Sequence, residues 1–179
     1  MRAAGLHYRR PMTVEPSVRL ALRVADVSAA VALYRSFGFT PVGTVPGPAG
    51  DVVMAILRRG PLQLLVDALT GIPFADNARE RRTKAGPRGL GVVIGIEVDD
   101  VDGAAEQCAA GGCAISTGPR DAPWGERYVE FEDPFGYAWK FFHLTPDPPG
   151  DGLDAVHDLW FGRAQPAEAH PHHLACEVT

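Results

Sequence analysis

The sequence predicts an α+β protein of two β-α-β-β-β modules, with the apolar face of the strands packed on the helices. Three observations predict it. A displacement of 74 residues lays Leu22-Arg23-Val24-Ala25-Asp26-Val27 on Ile96-Glu97-Val98-Asp99-Asp100-Val101, Ala30 on Ala104 and Gly38 on Gly112. Three strand-like runs follow each copy. Along these runs apolar residues alternate with polar ones, the pattern of a sheet buried on one face.

The elements follow in order. Residues 1–16 read as a flexible arm with Met12 as a second candidate start, and without the apolar stretch of a secretory signal. The first module, 17–67, opens with a strand through Leu20, Leu22 and Val24. Asp26 then caps a short helix that Gly38 ends. Strands follow at Pro41–Val45, Val52–Arg58 and Leu62–Asp67, with turn signals at Gly47-Pro48 and Gly60-Pro61. Residues 68–89 are polar and basic and read as a linker or flap. The second module, 90–146, repeats the plan: a strand through Ile94, Ile96 and Val98, a helix between Asp100 and Gly112, then Cys113–Thr117, Arg127–Glu132 and Tyr137–Leu144. Asp133-Pro134-Phe135-Gly136 makes the last hairpin turn. The extension 147–179 holds one amphipathic stretch, Leu153–Phe161.

Composition narrows the function. The chain has 179 residues, a net charge of −5 and 46% hydrophobic residues, enough for a real core and without the basic stripe that nucleic acid requires. No apolar run nears the roughly 20 residues of a membrane span. The cysteines, Cys108, Cys113 and Cys176, form no C-x-x-C pair, so a reducing, cytoplasmic setting is expected. The glycine-rich Gly86–Gly91 segment precedes a strand and does not open a helix, which excludes a dinucleotide loop.

The repeat, with Leu22-Arg23-Val24-Ala25-Asp26 opening the first module and Phe131-Glu132-Asp133-Pro134-Phe135-Gly136-Tyr137 closing the second, resembles the vicinal oxygen chelate superfamily of glyoxalases, bleomycin-resistance proteins and extradiol dioxygenases. Pro123-Trp124-Gly125 with Arg127 further resembles the bleomycin-resistance branch. The resemblance implies that the strands form a concave mixed sheet with the helices on its outer face, and that in metal-using members four His or Glu side chains, from the first and last strand of each module, hold a divalent cation. The resemblance places these positions at Arg19, Gln63, Val93 and Lys140. Arg and Lys have no lone pair to offer at neutral pH and Val has no donor, so no metal site and no cofactor are expected. The six histidines lie outside these positions: His7, His157, His170, His172 and His173 in the terminal segments, and His143 with the parity of a helix-facing residue.

The resemblance and the residues together imply a non-catalytic protein that binds and sequesters an antibiotic or secondary metabolite. The expected ligand-binding residues are Arg19, Arg23, Gln63, Glu97, Trp124, Arg127, Lys140 and Phe142, with no catalytic residue. Trp124 and Phe142 are placed to stack on an aromatic ligand, and the cations to grip an anionic or phenolic one. The alternatives are an enzyme of secondary metabolism, metal-independent before metal-dependent, with Glu97 or Tyr128 moving protons, and a structural or regulatory module whose cup is closed by its own ion pairs. The resemblance also implies a homodimer. No nucleic-acid or membrane partner is expected.

Overall fold

The computed structural model of the chain describes residues 18–71 and 73–145. The arm at 1–16, the extension with Leu153–Phe161, and all histidines but His143 lie outside the described residues. The described residues fall into two compact units that divide between Arg88 and Gly89.

The first unit begins with β1 (Val18–Val24), α1 (Val27–Ser36), β2 (Thr40–Pro46), β3 (Val52–Arg59) and β4 (Leu62–Ala68). Its sheet has the order β1-β4-β3-β2, with β1 parallel to β4 and the remaining pairs antiparallel. The second unit repeats this with β5 (Val93–Glu97), α3 (Val101–Ala110), β6 (Ala114–Ala122), β7 (Glu126–Glu132) and β8 (Ala138–Leu144), in the order β5-β8-β7-β6. Two four-stranded mixed sheets, each covered by a helix, make the expected α+β fold.

The same local chemistry builds both units. The Asp26 carboxylate accepts from Ala29 N at 2.9 Å and Asp100 from Gly103 N at 3.0 Å, each satisfying an orphan donor of the first helical turn. After each helix the chain passes through a left-handed residue, Gly38 and Gly112, both at φ +84°, where a Cβ would be strained. One face of each sheet then packs on its helix. Leu22, Val24, Leu57, Leu64 and Val66 are buried in the first unit with Ala30 and Tyr34 of α1. In the second, Ile94, Ile96, Val129, Phe131, Trp139 and Phe141 are buried with Ala105 and Cys108 of α3. Burying each large apolar side chain contributes about 1.5–3 kcal/mol, so this face holds the module together. Cys108 and Cys113 are free, buried thiols, and a hydrogen bond to Cys113 together with burial pushes the Cys108 thiol up.

Two elements depart from the sequence reading. The basic linker contains α2 (Asn77–Ala85), capped by Asp76, which accepts from Ala78 N and Arg79 N at 2.8 and 3.3 Å. It buries no residue, and therefore carries no apolar period to betray it. Strand β6 runs on past Thr117 through Gly118-Pro119 to Ala122. It is an edge strand with a register shift between Thr117 and Arg120, where a proline is tolerated.

The turn before β8 is held by one buried carboxylate. Asp133, 3% exposed, accepts from Phe135 N and Tyr137 N through Oδ1 (2.9 and 3.0 Å) and from the Trp139 indole through Oδ2 (2.8 Å). Asp133→Ala strands three buried donors and is expected to lower the unfolding free energy by about 3 kcal/mol or more. Asp133→Asn, which keeps one oxygen, is expected to fall between it and the wild type. Chemical denaturation checks both.

Candidate functional site

Strand register decides which residues share the face opposite the helix. In the first unit Arg19 pairs with Gln63, Arg23 with Asp67, Met54 with Asp67 and Arg58 with Gln63. This open face therefore carries three arginines against one aspartate. Arg19 donates to Gln63 Oε1 from Nη2 at 3.0 Å and from Nε at 3.3 Å. Arg23 lies 3.7 Å from Asp67 Oδ2, donates to Ala68 O at 2.9 Å and to Pro73 O at 3.3 Å, and stacks 4.2 Å beneath the Phe74 ring.

In the second unit Gly95 pairs with Lys140, Glu97 with Phe142, Tyr128 with Phe142, Glu130 with Lys140 and Arg120 with Tyr128. A compact cluster occupies this face. Trp124, in the β6–β7 turn, stacks on Tyr128 at a centroid distance of 6.0 Å and an interplanar angle of 29°. Its indole N–H donates to Glu126 Oε1 at 2.5 Å, and the same oxygen receives the Lys140 ammonium. That ammonium also lies over two rings, 4.4 Å from the Tyr128 centroid and 5.5 Å from that of Trp124. Glu126 is 8% exposed, and Lys140 and the indole neutralise and satisfy it. Arg120 caps the other end of Tyr128, donating from Nε and Nη2 to its hydroxyl at 2.7 and 2.5 Å. A Cβ at Gly95 would lie 3.5 Å from Phe142 Cε1, an ordinary van der Waals distance, so the ring packs close against β5.

The structure thus brings Trp124, Lys140 and Phe142 to one face, with Glu97 exposed on it. Arg19, Arg23 and Gln63 share the open face of the first unit. Arg127 does not join them. Odd parity in β7 turns it to the helix side, where it donates to both Asp102 oxygens at 2.7 Å and to Asp121 Oδ1 at 3.0 Å. The expectation that placed Arg127 among the ligand-facing cations is corrected: it braces α3 against β7. Glu97, Glu126, Glu130 and Glu132 outnumber Lys140 and Arg120 on the second face, and only the first is basic. Sequence reasoning missed Glu126, Arg120 and Asp67. The signal for Glu126 was its place directly after the Trp124-Gly125 turn; Arg120 was concealed by the Gly118-Pro119 break.

The donor set does not fit the divalent metal that the resemblance brings to mind. The Gln63 oxygen is taken by Arg19, Lys140 is an ammonium bound to Glu126, and Val93 is apolar. Register adds that the two last-strand positions are not equivalent. Gln63 pairs with Arg19, but the partner of Val93 is Ala138, and Lys140 lies two residues farther on. Shifting either module to match the other puts Leu65 or Ala138 at the position, and neither has a donor. His143, of the opposite parity to Lys140 and Phe142 in β8, has its Nδ1 3.2 Å from Val98 O.

Residues 17–141 match the model of the Glyoxalase/Bleomycin resistance protein/Dioxygenase superfamily. The uncharacterized protein Mb0911c of Mycobacterium bovis is 30% identical over 146 residues, which span 81% of this chain and 94% of the relative. Among solved structures, TioX from Micromonospora sp. ML1 is similar at 27% identity and a TM-score of 0.54, over 72% of this chain and 98% of its own. TnmS3, an antibiotic binding protein from Streptomyces sp. CB03234, shares the fold at 22% identity and a TM-score of 0.51, over 75% of this chain and 100% of its own.

The Arg127 contacts hold the Asp102 carboxyl below its ordinary value, chiefly through the hydrogen bond. A carboxylate lowered on folding stabilises above its ordinary pKa and loses that contribution as pH falls through the folded value. Arg127→Ala is therefore expected to lower the thermal midpoint at pH 7, with the difference from wild type shrinking below about pH 4. Thermal scans at several pH values check this.

Proposed function

As a member of the glyoxalase/bleomycin-resistance/dioxygenase superfamily, the chain has a fold built around open sheet faces, and we propose that it binds an aromatic small molecule, an antibiotic or secondary metabolite, and sequesters it without metal or chemical change. The observation that carries this reading is the Trp124–Tyr128–Lys140–Glu126 cluster. At a strand position where the family would use a metal ligand, this chain has a lysine, and that lysine is spent on holding a stacked aromatic pair. The partly exposed Trp124 ring, backed by the buried Tyr128, offers a rigid aromatic face at low entropic cost, which suits a flat ligand. Lys140 and Glu126 cancel each other there, so stacking and not charge carries the affinity. The ligand class that fits is aromatic and phenolic, with Phe142 as a second apolar contact and Glu97 at the margin. The fold itself admits such a role, since the antibiotic binding protein TnmS3 is built on it.

The alternative, a metal-independent enzyme using Glu97 or Tyr128, finds less support. Tyr128 is 4% exposed and its hydroxyl is held by Arg120, which makes it part of the platform. Two further proposals accompany the binding role. The free thiols of Cys108 and Cys113 suit a reducing, cytoplasmic setting; among the described residues no helix is long and apolar enough to cross a membrane. A homodimer is supported by the edge strand β5, which ends an open sheet and begins with Val93 at 58% exposure. Light scattering is expected to give twice the 19.2 kDa chain mass, and a monomer would exclude it.

Titration of the full chain with polyaromatic phenols is expected to quench tryptophan fluorescence. Trp124→Ala is expected to weaken binding about tenfold or more, the loss of one stacking contact with its buried area. Unchanged affinity in that variant, measured by calorimetry, would remove the platform from the ligand site.

A further inference from the structure

We propose that Asp67, on the open face of the first unit, is a recognition residue whose Oδ1 accepts the hydroxyl hydrogen of a phenolic ligand. The inference rests on the small-molecule-binding reading, but it concerns a different unit and does not depend on Trp124.

Asp67 is 9% exposed, and its Oδ1 is buried with no hydrogen-bond donor among the described residues. Its other oxygen lies 3.7 Å from Arg23 Nε, an ion-pair distance too long for a hydrogen bond. Arg23 is also held elsewhere, by Ala68 O, Pro73 O and the Phe74 ring. A buried acceptor left in this condition destabilises a protein, and native structures seldom keep one without a purpose. Burial pushes the Asp67 carboxyl above its ordinary value, and Arg23 only partly opposes the rise. The carboxylate is thus poised for a donor that the described residues do not supply.

The surroundings select the donor. Met54 lies directly across from Asp67 in β3, and Leu65 follows on the same face two residues away in β4. Both offer apolar contact to a ring. Arg19, Arg23 and Arg58 make this face positive, which disfavours an ammonium or amidinium group. A neutral but acidic O–H, carried on an aromatic ring, satisfies Oδ1 without adding positive charge. No covalent step is involved.

Calorimetry of the full chain with 1-naphthol and with 1-methoxynaphthalene tests this, because the two probes share a ring system and differ in the donor. The wild type is expected to bind 1-naphthol about tenfold or more tightly than the ether, the scale of one hydrogen bond to a charged acceptor. Asp67→Leu is expected to abolish the preference while its thermal midpoint equals or exceeds that of wild type. Asp67→Asn, which keeps a carbonyl acceptor, is expected to retain part of the preference. A lowered midpoint in both variants with the preference intact would make Asp67 a structural residue and overturn the proposal. Equal binding of both probes by wild type would overturn it while leaving the aromatic-binding reading in place, and binding of neither would overturn both.

Discussion

The carboxylate of Asp133 accepts two backbone N–H groups of its own turn and the indole N–H of Trp139, and the second unit is organised from that point. The indole bond fixes Trp139 inward at the first turn of β8. Strand alternation then sends Phe141 to the core, and Lys140 and Phe142 to the open face. A slip of one residue would reverse all four. Register passes onward from β8 to β7, where Glu126 and Tyr128 fall on the open side and Arg127 on the helix side. The cluster of Trp124, Tyr128, Glu126 and Lys140 is a consequence of a buried aspartate some way along the chain.

The two units show how one architecture is given different surfaces. Their strand orders, helix caps and left-handed glycines correspond. Their open faces do not. The first carries three arginines and a carboxylate whose Oδ1 has no donor among the described residues; the second carries four glutamates, Arg120 and an internally neutralised lysine. The core face must satisfy packing, so it keeps the repeat. The open face is released from that constraint and can specialise.

The repeat, the caps and the alternation were legible in the sequence because each is a local rule: Asp26 and Asp100 before a helix, Gly38 and Gly112 after it, and apolar residues at every second position of a strand. Contacts between residues distant in sequence were not. Arg127 reads as a cation near a tryptophan, and only the register of β7 against β8 reveals that it faces α3. Asp67 reads as the end of a strand, and that its Oδ1 has no donor among the described residues becomes visible only when its neighbours are in place. Helix α2 was concealed for the opposite reason. It has capping and an i,i+4 pair, Glu80 with Lys84 at 2.5 Å, but no buried face.

In the proposed function an aromatic platform, and no metal, holds a ligand unchanged. Incubating chelator-treated protein with a polyaromatic phenol that it binds, then recovering the compound for mass spectrometry, tests this most directly. Expected is binding at the strength of untreated protein and a compound recovered intact. Conversion of more than one equivalent per chain, or binding that returns only with an added divalent cation, would contradict it.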